Sequence, residues 1–93
     1  MIIISQDKTM ILNFEYIETI EIENPLENND GKFKILCDTT SDNQYTIAEY
    51  KIEERAKEVL QEIIKAYREY RTAECDGYTN VLQETAVFEM PEE

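Results

Sequence analysis

Carboxylates dominate the residues of this sequence that could take part in chemistry. Glu and Asp make up 21 of the 93 residues, against nine Lys and Arg and no His. Two carboxylates at a suitable separation can act as general acid and base. The lack of His removes the most common general base and the most common metal ligand. Because no carboxylate pair is flanked by the aromatic and glycine residues of a pocket, we predict a protein that is not an enzyme and uses no cofactor.

A calcium loop is the one metal-binding pattern that the sequence approaches. Asn28, Asp30 and Gly31 match three of its positions, but Leu26 and Cys37 occupy the positions of two essential ligands. A hairpin turn explains this segment better. The chain has only two glycines, too few for a glycine-rich phosphate-binding loop. We therefore predict no metal site.

The charges are segregated along the chain. Residues 1–46 carry three bases and nine acids, residues 47–72 carry six of each, and residues 73–93 carry six acids and no base. The formal net charge of −12 thus lies outside the central segment. Such a chain repels nucleic acid and anionic membranes and attracts basic partners. We expect a protein partner with a basic surface, no direct binding of nucleic acid and no membrane association.

The best candidates for partner contact are acids in strand-like segments and one tyrosine. Glu21 and Glu23 are two residues apart, which places them about 6.8 Å apart on one side of a strand. Duplex DNA carries one charge per about 1.7 Å, so a DNA mimic would need further acids or a second subunit. The alternative is that these acids bind no partner and only keep the protein soluble. The candidate partner-binding residues are Glu15, Glu21, Glu23, Tyr78, Glu84 and Glu89.

The secondary structure predicted around these residues is α+β, in a single domain, residues 1–93. Residues 2–50 read as an antiparallel β-meander of four to five short strands, with apolar and polar residues alternating. Residues 52–72 change to a helical period, which predicts one long α-helix covering the sheet. A loop over residues 73–84 precedes a last strand, residues 85–90, at a sheet edge. Because an edge strand can pair with a second copy, a homodimer is also predicted.

Four further side chains are assigned from their surroundings. Cys37 alternates with apolar neighbours and is predicted to be a core residue, whereas Cys75 lies in a polar stretch and is expected to be an exposed thiol. Tyr67 and Tyr70 continue the apolar stripe of the helix, which favours the core.

The start of the chain lacks the features of a secretory signal, and no apolar run is long enough for a membrane span, so a cytoplasmic location is expected.

Three segments resemble a group of small phage and prophage proteins of Gram-positive bacteria. They are MIIISQD at residues 1–7, EERAKEVLQEI at residues 53–63 and EMPE at residues 89–92. The resemblance implies a phage-type accessory protein in the host bacterial cytosol, and a host protein as the basic partner. It also implies an inhibitor of host defence, of the anti-CRISPR or DNA-mimic kind.

Two other functions stay open beside this one. A sponge that sequesters a small nucleotide messenger would need cations, and these lie on the helix, at Arg55, Lys65, Arg68 and Arg71. Tyr67 or Tyr70 would then contact the ligand. The second alternative is a structural or replication accessory protein whose acidity has no role in binding.

Overall fold

The chain forms six β-strands and one α-helix in the computed structural model, which describes residues 1–27, 31–76 and 87–93. Two single-turn 3₁₀ helices, Phe14–Tyr16 and Pro25–Glu27, flank the third strand. The predicted α+β fold class is therefore confirmed. The elements are β1 (Ile2–Ile4), β2 (Ile11–Asn13), β3 (Ile17–Glu23), β4 (Phe33–Thr39), β5 (Gln44–Tyr50), α1 (Glu53–Asp76) and β6 (Val87–Glu89).

The strands form two three-stranded sheets. The first is an antiparallel meander in the order β3-β4-β5, and the second has the order β2-β1-β6. The meander was predicted to have four to five strands and has three. The 3₁₀ turn at Phe14–Tyr16 interrupts the chain between β2 and β3, so the β1–β2 hairpin belongs to the other sheet.

The last strand lies at a sheet edge, as predicted, and that sheet belongs to its own chain. It pairs with β1 in parallel, with Ile3 opposite Phe88. The strand covers Val87–Glu89, within the predicted range of 85–90. Residues 85 and 86 lie outside the described part of the chain. Parallel strands cannot be joined by a tight turn, and here all elements from β2 to α1 lie between the two strands in sequence.

The helix begins one residue later than predicted and ends four residues later, at Asp76. The predicted loop over residues 73–84 is therefore wrong for its first four positions, since no glycine or proline stops the helix before Gly77. The remainder of that loop lies outside the described residues.

One stripe of α1 packs against the inner face of the meander. Ala56, Val59 and Ile63 on this stripe are at most 3% exposed. Further along, the Tyr67 ring stacks on Phe14 with centroids 4.5 Å apart. Tyr67 and Tyr70 are partly buried against the core, which confirms the prediction for both.

The core joins the two sheets and the helix into one cluster. Its largest fully buried side chains are Ile3, Ile35, Ile47, Val59 and Cys37, which confirms Cys37 as a core residue. Burial of each aliphatic side chain contributes about 1.5–3 kcal/mol relative to exposure. The Cys75 side chain lies outside the described part of the structure. Among the residues that are described, no helix combines the length and the apolar character needed to cross a bilayer.

Candidate functional site

Glu21 and Glu23 lie together on the outer face of β3, as the alternation predicts. Ile20 and Ile22 between and beside them pack against the core, so the carboxylates point away from it. Glu21 is exposed and Glu23 is half-buried. Within the described chain, neither carboxylate makes a side-chain hydrogen bond or an ion pair. Neither carboxylate is therefore held by a direct contact, although Lys34 lies opposite Glu23 in register.

The face that carries them is anionic across all three strands, because the register aligns further acids with β3. One row joins Thr19, Asp38 and Gln44, with Thr19 Oγ1 and Gln44 Nε2 donating to the Asp38 carboxylate at 2.8 and 3.0 Å. We call this surface the acidic sheet face. Its members are Thr19, Glu21, Glu23, Lys34, Leu36, Asp38, Gln44, Thr46 and Glu49.

The one base among the members of this face is Lys34, on β4. Lys34 lies between Glu23 and Glu49 in register, and its Nζ is 3.9 Å from Glu49 Oε1. Lys32 Nζ approaches the same carboxylate at 3.5 Å. Leu36 at the centre is only 7% exposed, so its neighbours in the sheet cover it. The face thus presents four carboxylates, and two ammonium groups lie at its Glu49 end.

The other predicted acids lie elsewhere. Glu15 is exposed in the 3₁₀ turn before β3, where its N–H donates to Asn13 Oδ1 at 3.0 Å. Glu89 lies in the second sheet, and its carboxylate is 3.6 Å from Lys8 Nζ, with both side chains more than half exposed. Tyr78 and Glu84 lie outside the described residues. The structure therefore brings Glu21 and Glu23 together and places Glu89 in a different sheet.

The two edges of the meander differ in their hydrogen bonding, and the sequence does not predict the residue responsible, Gln6. Gln6, in the turn after β1, closes the β5 edge. Its main-chain N–H donates to Ile47 O at 2.8 Å, its Oε1 accepts from Glu49 N at 2.9 Å, and its Nε2 donates to Glu49 O at 3.0 Å. The Gln6 side chain thereby occupies the place of a peptide group in an added strand. No local pattern identifies such a residue, because its partners Ile47 and Glu49 are 41 and 43 positions away.

The same side chain fixes the end of the chain, residues 90–93, which we call the C-terminal strap. Gln6 Nε2 also lies 3.2 Å from Pro91 O and 2.9 Å from Glu92 O. Tyr50 Oη donates to Pro91 O at 2.7 Å, and Arg55 Nε donates to the main-chain oxygen of Glu93 at 2.8 Å. The strap is therefore held along the β5 side of the molecule.

Burial of the Tyr50 ring has an electrostatic consequence. It raises the pKa of the Tyr50 phenol to about 12, because the anion would lose hydration, although nearby Arg55 opposes this in part. Arg55 itself pairs with Glu58 at 3.1 Å and with Glu62 at 3.5 Å. Its guanidinium is thus bound to acids of its own chain.

Two clefts of about 600 Å³ each open on the described surface. One is lined by uncharged residues of β2, the first 3₁₀ turn and the β4–β5 turn, among them Ile11 and Tyr16, which are 71% and 61% exposed. The other adjoins the strap and has Lys32, Lys51 and Arg55 on its walls together with three Glu. Within the described residues, no three His, Cys, Asp or Glu side chains are grouped as metal ligands would be.

Comparison with known proteins adds no family to this description. The chain matches no protein-family model, no curated protein and no solved structure. The acidic sheet face is therefore interpreted from its own geometry.

Proposed function

We propose that this protein is a non-enzymatic binding protein that holds a basic protein through the acidic sheet face. The observation that supports this most directly is the pair Glu21 and Glu23 at an outer strand, neither of which makes an ion pair or a side-chain hydrogen bond within the described chain. A basic surface docked there would replace repulsion between neighbouring carboxylates by attraction, and would be steered to it from a distance of about a Debye length.

The proposal includes the setting that the sequence resemblance implies. A phage-type accessory protein in the bacterial cytosol would meet a host protein as its basic partner, and blocking that partner would make it an inhibitor of host defence. A nucleic-acid-binding host protein is the chemical class that fits, because its own ligand is anionic. Self-association through the edge of the last strand, β6, stays a prediction beside this proposal.

A sponge for a nucleotide messenger is supported less well. It depends on the helix cations, and Arg55 among them is already paired with Glu58, Glu62 and the strap. Tyr67 and Tyr70 are packed into the core stripe. Native mass spectrometry of protein from infected cells tests this alternative, since a retained nucleotide would favour it.

Capture of host proteins by paired charge variants tests the main proposal. Glu21→Gln with Glu23→Gln removes two charges from the acidic sheet face, and Glu54→Gln with Glu69→Gln removes the same number from exposed positions of α1. Two rim charges together are worth about 0.5–2 kcal/mol in binding, so the first variant should bind an isolated partner roughly two- to thirtyfold more weakly. The helix variant should bind like the wild type.

The salt response provides the second readout. Affinity for the partner should fall as the salt concentration rises from 50 to 500 mM, and this slope should be smaller for the Glu21 and Glu23 variant. Equal capture by both variants, or a complex insensitive to salt, would overturn the proposal.

A further inference from the structure

We infer that the partner binds as an extended segment that adds to the edge of β3 that no other described segment covers. It becomes a fourth strand of the meander, with basic residues outward and apolar residues inward. This inference rests on the proposed function and specifies how the partner is bound.

The two edges of the meander are treated differently by the chain. Gln6 and its main chain satisfy the outward groups of Ile47 and Glu49 on β5. At the opposite edge, residues 19–23 of β3 have main-chain partners only from β4 within the described residues. A seven-residue strand is about 23 Å long and directs every second N–H and C=O outward. β3 is thus a template for another strand.

The side chains of β3 determine which kind of added strand would be complementary to it. On the outer face, Glu21 and Glu23 would lie within about 5.5 Å of the residues directly opposite them, where Lys or Arg is favourable and an acid is not. On the inner face, Ile20 and Ile22 are only partly buried, and an added strand would cover the remainder of their surface. The complementary segment therefore alternates basic and apolar residues.

The charge of the strand also argues against a second copy as the occupant. Two β3 strands paired with each other would bring Glu21 and Glu23 of both copies onto one face. Like charges at such distances are unfavourable. The edge is protected from self-pairing by the same residues that attract a basic segment.

A defined peptide tests this directly. The probe is an acetylated and amidated octapeptide of alternating Lys and Val, added to the full-length protein. On saturation, exchange of the outward-facing amide hydrogens of β3 should slow at least tenfold. The affinity should drop by at least twofold for the Glu21→Gln and Glu23→Gln variant, and should not change for the Glu54→Gln and Glu69→Gln variant.

Backbone methylation separates strand addition from simple charge attraction. One version of the peptide carries N-methyl groups at all Lys and all Val positions, so the N–H groups of both edges are blocked and it cannot pair with β3 in either strand direction. This version should bind at least tenfold more weakly than the parent, whereas simple charge attraction would leave its affinity unchanged.

If the fully methylated peptide binds like the parent, or if no β3 amide is protected, strand addition is wrong. The acidic face remains the partner site in that case if its variant still binds the peptide more weakly. Equal binding by the two charge variants would overturn both proposals.

Discussion

Replacing Gln6 by Ala should destabilise the protein by about 2 kcal/mol. The side chain accepts one hydrogen bond from Glu49 N and its Nε2 reaches three carbonyl oxygens, those of Glu49, Pro91 and Glu92. Since Nε2 has two hydrogens, three good bonds are the realistic number. Each contributes about 0.5–1.5 kcal/mol net, and water can replace part of this because the site is only half-buried. For a domain of this size, the loss corresponds to a fall in Tm of roughly 8–16 °C.

Urea unfolding followed by far-UV circular dichroism measures this loss. The matched control is Gln61→Ala, at an exposed position of α1, which should stay within about 0.5 kcal/mol of the wild type. A Gln6→Ala protein as stable as this control would refute the role assigned to Gln6.

Gln6→Glu sharpens the test, because it keeps the shape of the side chain and removes the donor. At pH 7 a carboxylate oxygen would face the three carbonyl oxygens, so this variant should be at least as unstable as Gln6→Ala. Such surroundings raise the pKa of the new carboxyl above its unfolded value of about 4.3. Its stability should therefore approach that of the wild type below about pH 4.3 and fall as the pH rises through the folded pKa. A pH-independent difference would contradict the hydrogen-bonding scheme.

Three further outcomes are expected. Tyr50→Phe should cost about 1 kcal/mol in the free energy of unfolding, because the hydrogen bond to Pro91 is lost. The wild type should also lose stability between about pH 10 and pH 12, as the phenol ionises first in the unfolded chain, and the variant should not. Urea unfolding at each pH measures both effects. Ile3→Ala, at a side chain with no exposed surface, should cost about 2–5 kcal/mol in the same assay, and a loss below 1 kcal/mol would contradict its place in the core. Cys37 should react with a thiol reagent only on unfolding in a Cys75→Ser background, because it is fully buried and burial raises the pKa of its thiol.

The elements themselves were predictable because their signals are local. The alternation over β3 and over β4 places Ile20, Ile22, Ile35 and Cys37 on the core side, where the structure has them. The helical spacing likewise identified α1. Only its end was misjudged, since the polar residues after Thr72 are still compatible with a helix.

The candidate site was predictable in part. Glu21 and Glu23 share a face because strand geometry alone requires it. The division of the strands into two sheets was not predictable, since the β1–β6 pairing joins residues 85 positions apart. That division is what removes Glu89 from the face that Glu21 and Glu23 share. The placement of Lys34 beside Glu49 also depends on the register of β4 and β5.

The kinds of elements and the residues that alternate toward the core follow from the amino-acid sequence, because each depends on neighbours a few positions away, and the excess of negative charge follows from composition. Which strand edges are closed depends on the tertiary fold. Gln6 reaches partners 43, 85 and 86 positions along the chain, and such contacts exist only when distant segments have been brought together. The edge of β3 that no described segment covers is a product of that arrangement, and so is the site proposed on it.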